Sequence, residues 1–168
     1  MHIRPYESRD KAACLAIFDS NSPKYFAPHE RDEFSEFLDK PTCTYFVIEA
    51  GAAITGCGGY WVSDDGSRAI MCWGMVANDK HSTGLGKWLL LYRWKIISQV
   101  APGALLEINT SQHTYGFFEK LGLKVTEIVK NGYGENIDRY EMRLKLDTAP
   151  CERITALYKE VAAQHLKA

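Results

Sequence analysis

The sequence predicts a mixed α/β fold, and three observations carry that expectation. Residues 70–76 are apolar or small throughout, which suits a strand buried on both faces, and they lead to a turn, Thr83-Gly84-Leu85-Gly86. Beyond it Leu85, Trp88, Leu89, Tyr92 and Ile96 fall at i, i+3, i+4, i+7 and i+11, the buried stripe of a helix. The same strand-then-helix order returns at Leu105-Leu106-Glu107-Ile108-Asn109-Thr110, followed by a segment that stops at Gly122.

Taken in chain order, the pattern predicts a strand at Ile3, a helix from Arg9 and a helix from Glu30. Strands follow around Phe46, Tyr60 and Cys72, then the helix from Gly84, a strand at Leu106, a helix from His113, and strands near Val125 and Met142. After Leu146, Thr148-Ala149-Pro150 reads as a helix start, because proline is tolerated in a first turn. Ile154, Leu157, Tyr158 and Val161 then repeat at helical spacing, giving an amphipathic C-terminal helix. Its stripe is expected to cover its own domain or a second copy in a homodimer. The division expected is one domain over residues 1–146 and a helical extension over 147–168.

Composition narrows the function classes. A net charge of −1 with scattered Lys and Arg gives no basic footprint, so nucleic acid is not an expected partner. No long apolar run and no basic-plus-apolar leader is present, which argues against membrane spanning and secretion. The five cysteines are odd in number and lack Cys-x-x-Cys spacing, so reduced thiols in a cytoplasmic protein are expected. The histidines have no ligand spacing, and no metal is expected.

The glycine turn opens a helix, where unpaired N–H groups and the positive end of the macrodipole favour a diphosphate. It is neither a Rossmann fingerprint, which needs a third glycine, nor a P-loop, since Lys87 precedes Trp88. Val76 followed by His81-Ser82-Thr83-Gly84-Leu85-Gly86 instead resembles motif A of the GNAT acetyltransferase superfamily, with His81 where Gln or Arg is usual. The segment Ser111 to Gly122, ending Phe118-Glu119-Lys120-Leu121-Gly122, resembles motif B of the same superfamily, in the right order and at the right separation.

The resemblance implies the GNAT fold, a mixed central sheet of about seven strands with flanking helices, the C-terminal helix being extra. It implies an N-acetyltransferase that uses acetyl-CoA as cosubstrate and transfers the acetyl group to an amine, expected to be a small molecule, by direct attack through a tetrahedral intermediate. Met75 and Val76 would meet the pantetheine arm, and His81, Ser82, Thr83, Gly84, Leu85, Gly86 and Lys87 the diphosphate. Ser111 and Phe118 occupy the remaining donor positions of motif B.

Phe118 stands where the family's general acid is usually Tyr, and a phenyl ring has no proton to give. Tyr115, one helical turn earlier, is the substitute candidate. Carboxylates for the base are Glu30, Glu107 and the other acids of residues 21–36 and 131–138, the two segments that wall the acceptor cleft in this fold. The departure at Phe118 also sustains an alternative, a non-catalytic module that binds or senses acyl-CoA.

Overall fold

The computed structural model describes residues 1–166. Among them, seven strands and five α-helices follow one another as β1 (His2–Pro5), α1 (Lys11–Asn21), α2 (Glu30–Asp39), β2 (Thr44–Ala50), β3 (Ala53–Val62), β4 (Arg68–Val76), α3 (Leu85–Val100), β5 (Leu105–Ser111), α4 (Tyr115–Glu119), β6 (Lys124–Gly134), β7 (Ile137–Lys145) and α5 (Thr148–His165), with short 3-10 turns at Ser8–Asp10 and Asn78–Lys80. The seven strands form one sheet in the order β1-β2-β3-β4-β5-β7-β6. All pairings are antiparallel except β4 with β5, which is parallel. The mixed α/β reading with seven strands and a C-terminal helix is the architecture observed.

Side chains alternate across a strand, so β2 feeds two cores. Tyr45 and Val47 join Cys14, Ile17, Phe18, Phe34 and Leu38 under α1 and α2. Phe46 and Ile48 point the other way, into a larger core with Trp88, Leu89, Trp94 and Leu106. α3 is buried beyond its sequence stripe, Leu90, Leu91, Arg93 and Trp94 included: it packs between the β3–β4 face of the sheet and α5, which runs antiparallel along its other side. Tyr158 of α5 meets Tyr92 with ring centroids 6.2 Å apart, and His165 stacks on Trp88 at 5.2 Å. Residues 167–168 of the expected extension lie outside the described residues.

Two features of β4 differ from the simple strand read in the sequence. Its pairing with β5 covers only Arg68, Ala69 and Ile70 against Leu105, Leu106 and Glu107; beyond that the strands part. Residues 70–73 are accordingly half-covered and Gly74 is exposed, where the sequence suggested burial on both faces. The second feature is a bulge against β3 between Cys57 and Gly59, where Trp73 adopts φ 40. A non-glycine residue persists there only if its surroundings over-determine it. Here Phe18, Phe26, Phe34 and Phe37 pack around the indole, and the Tyr45 hydroxyl donates to the Trp73 carbonyl at 2.9 Å.

Behind the bulge lies Arg93, only 4% exposed. It donates from Nη1 to the Gly59 carbonyl at 3.0 Å and from Nε to Leu89 at 3.1 Å, and burial pulls its pKa down to about 10. A methyl group at Gly58 would lie 2.7 Å from this guanidinium, so the glycines there make room for a buried cation.

Candidate active site

The open end of the β4–β5 split leads to the glycine turn. Ser82 has φ 63 and Gly84 φ 87, two left-handed residues either side of Thr83, whose N–H bonds back to the Lys80 carbonyl at 3.4 Å. No side chain caps α3 among the described residues, which leaves the first-turn N–H groups of Leu85, Gly86 and Lys87 without an intrahelical partner. Gly86 carries no side chain where a methyl would lie 4.0 Å from both Val76 methyls. An uncapped N-terminus over a strand end is the arrangement that an acetyl-CoA diphosphate needs, and the residues present fit it.

Met75 and Val76 are buried at the end of β4, and Ala77 N–H returns to the Thr55 carbonyl at 2.9 Å. Asn21, which the sequence reading did not single out, donates from Nδ2 to the Val76 carbonyl at 2.8 Å and to Ile17 at 2.9 Å. It thereby ties the end of α1 to the end of β4. On the β5 side Ser111 is buried, its hydroxyl accepting from the His113 N–H at 3.4 Å. Phe118 packs on the larger core and meets Phe117 edge-on at 5.0 Å.

His81 is not a free loop histidine. Tyr25 stands between it and His113, with ring centroids 5.0 and 5.9 Å away, so three segments distant in sequence converge. Next to them the α1–α2 connection and the β6–β7 hairpin flank an open cleft of about 450 Å³, lined by residues including Pro23, Ala27, His29, His113, Asn136 and Ile137. At its rim a methyl on Gly134 would lie 3.3 Å from Ala27. The hairpin is braced rather than loose. Gln112 donates to the Asn136 carbonyl at 2.6 Å and accepts from Asp138 N–H at 2.9 Å, and Asp138 accepts from Asn131 N–H at 2.8 Å.

The three catalytic candidates fall in three different settings. Glu30 is buried behind the cavity wall, where Oε2 accepts from Ala27 N–H at 2.7 Å. Burial raises its pKa, opposed in part by that N–H and by His29. Tyr133 lies beside it, its own pKa raised mainly by burial and further by the Glu30 charge. Glu107 sits instead where β4 and β5 still pair, clasped by Arg68 at 2.7 Å and Arg143 at 3.1 Å. That is about 20 Å along the strand from Val76 at ordinary strand rise. Tyr115 opens α4 with its ring stacked on Tyr140, centroids 4.6 Å apart. No group of His, Cys, Asp and Glu side chains among the described residues is arranged to hold a metal ion, and none of their helices is long and apolar enough to cross a membrane.

Comparison with known proteins identifies the fold and its family. The family model described as Acetyltransferase (GNAT) family matches residues 14–123. A Bacillus subtilis protein, provisionally named a ribosomal protein bS18 alanine N-acetyltransferase, is 24% identical over 71% of this chain and 80% of its own length. Among solved structures, the Escherichia coli ribosomal-protein-S18-alanine N-acetyltransferase superposes with a TM-score of 0.72 at 19% identity, covering 88% of this chain and 94% of that one. An aminoglycoside 6'-N-acetyltransferase complexed with coenzyme A gives a TM-score of 0.69 at 15% identity, covering 87% and 97%. The chain belongs to the GNAT family and is an acetyl-CoA-dependent N-acetyltransferase.

Proposed function

We propose that the protein acetylates a primary amine of a small molecule, and that this amine enters through the cleft between the α1–α2 connection and the β6–β7 hairpin. The observation that carries the reading is the size of that cleft: about 450 Å³, with Gly134 against Ala27 at its rim and the hairpin braced through Gln112. This volume is within the range of about 300–1,000 Å³ usual for small-molecule sites. The cytoplasm is the compartment that suits such an enzyme with free cysteines.

In this reading residues 82–87 cradle the diphosphate and the exposed edge of β4 receives the pantetheine arm as a short added strand. The donor brings the acetyl group that the amine attacks. Glu30 takes the proton from the incoming ammonium, directly or through one water, its raised pKa bringing it closer to neutrality than an ordinary carboxylate. The amine nitrogen forms the new bond to the thioester carbon, the C–S bond breaks with sulfur leaving with the electron pair, and the nitrogen's second proton passes to water, leaving a neutral amide. A thiol has a pKa of about 8.5, so a thiolate departs tolerably near neutral pH without an acid. Tyr115, stacked on Tyr140, is then a packing residue of α4, and Glu107 a clasp on the paired end of β4 and β5.

The test is release of the free thiol from acetyl-CoA with a panel of amino acids, polyamines and aminoglycosides, set against a peptide beginning with alanine. The best small amine is expected to exceed the peptide at least about tenfold in kcat/KM, a difference of about 1.4 kcal/mol in transition-state binding. A peptide used as well as or better than every small amine would overturn the acceptor assignment. Acetyl-CoA binding without acceptor-dependent turnover would favour the sensing module instead.

A further inference from the structure

Arg93 is a buried cation that the reaction steps above leave idle. It is 4% exposed and donates to carbonyls, Gly59 at 3.0 Å and Leu89 at 3.1 Å, and among the described residues no carboxylate pairs with it. The titratable groups that face it are Tyr45 from β2, Cys57 from β3, Cys72 from β4 and Cys43 ahead of β2, a phenol and three thiols. Desolvation leaves its pKa at about 10, so it stays positive at neutral pH. Burying a charge without an opposite one is costly, yet this fold clears space for it. A methyl group on Gly58 would meet Nη1 at 2.7 Å, and one on Gly74 would meet Nη2 at 3.0 Å. Gly74 is itself exposed, on the stretch of β4 that β5 no longer covers, so its bare α-carbon has the guanidinium on one side and the open split on the other.

We infer that Arg93 is the positive charge that stabilises the coenzyme A thiolate as it leaves, acting past the bare α-carbon of Gly74. The length of the donor's arm sets where that sulfur lies. From phosphorus to sulfur the arm counts about 13 bonds, the length of about four residues of extended chain. Laid along the free edge of β4 from Val76, which faces Gly86 of the diphosphate turn, it brings the thioester to residues 72–74. When the C–S bond breaks the electron pair goes to sulfur, and Phe118 has no proton to offer it. A fixed cation shielded from water lowers the energy of that developing charge without giving up a proton, and Arg93 remains protonated throughout. The inference rests on the seating of the donor proposed above, and the experiment separates the two.

The thiol pKa of bound coenzyme A is read from thiolate ultraviolet absorbance in a pH titration of the complex, with the desulfo-coenzyme A complex as the blank that subtracts the protein's own thiols. In the wild type it is expected below the ordinary value of about 8.5. Arg93→Gln keeps an N–H for the Gly59 carbonyl and removes the charge. It is expected to raise the pKa of the bound thiol by about one and to lower kcat about tenfold, with the dissociation constant of acetyl-CoA, whose thioester is neutral, within about twofold of wild type. Arg93→Lys, which keeps the charge, should recover most of both losses. A bound thiol that titrates alike in wild type and the glutamine variant overturns the inference even if turnover falls, since that pattern is a loss of packing. A wild-type value no lower than that of free coenzyme A overturns it, as does a lysine variant that titrates like the glutamine one. Should the glutamine variant fail to fold, Arg93→Met takes its place and the same titration decides. If coenzyme A binds no better than pantetheine, the diphosphate cradle is refuted and the inference falls with it; tight binding with an unshifted thiol refutes the inference alone.

Discussion

Glu30 shows how a side chain's setting changes its chemistry. The motif-free sequence around it offers a run of acids, Glu30, Asp32 and Glu33, without saying which is buried. In the fold only Glu30 turns inward to accept the Ala27 N–H, and desolvation raises its pKa above the ordinary 4.5. The folded protein therefore holds that proton more tightly than the unfolded chain does. Stability falls as pH rises from the ordinary carboxylate range through the raised folded value, and at neutral pH the buried carboxylate is a cost. Glu30→Gln keeps an oxygen for the Ala27 N–H and removes the charge. We expect a higher Tm at pH 7, an advantage that disappears by about pH 4, together with a loss in kcat/KM of about 10²-fold. Turnover equal to wild type would give the proton transfer to another group. The roles of Asn21 and Arg93, and the partners of Tyr25, whose segment carries a pocket aromatic, were illegible for the same reason as the choice among these acids. Residue type and local spacing do not reveal that Tyr25 meets His81 and His113, or that an arginine on an apolar helix turns inward behind a strand bulge.

Elements were far more legible than contacts between them. Periodicity places α3, β5 and α5 because burial repeats along the chain itself. The turn before α3 was legible too, since Gly84 must adopt φ 87, a conformation that suits glycine. Gly84→Val forces a β-branched residue into that region and pushes a methyl toward His165. The strain is about 1–3 kcal/mol, read as a lower Tm, and acetyl-CoA binding is expected to be lost in calorimetric titration. A variant that loses stability yet keeps its affinity would remove the turn from the donor site. The length of α4 was less legible. The pattern from His113 suggested a fuller helix than Tyr115–Glu119, because turns around Ser111, Thr114 and Gly122 take the flanking residues.

At the scale of the whole molecule the sheet is two plates. One is β1 to β4 and the other is β5, β7 and β6, joined through Arg68, Ala69 and Ile70 and clasped by the Arg68–Glu107 ion pair, whose carboxylate Arg143 also holds within the second plate. Alternation and apolar runs reveal strands but not where two of them stop pairing, so this split was not legible although the family resemblance implied the fold. Amides on the edges of β4 and β5 that face each other beyond Ile70 lack a strand partner and should exchange with solvent quickly in the free protein. Saturating acetyl-CoA is expected to slow the β4 edge, within residues 71–76, by at least about tenfold more than β6. Uniform slowing across the sheet would instead report global stabilisation by binding alone. Seen mechanically, a force drawn across the sheet meets its weakest seam where only three residue pairs hold the plates together. In the seating proposed above, the donor is the stitch along that seam, added on binding and withdrawn when the products leave.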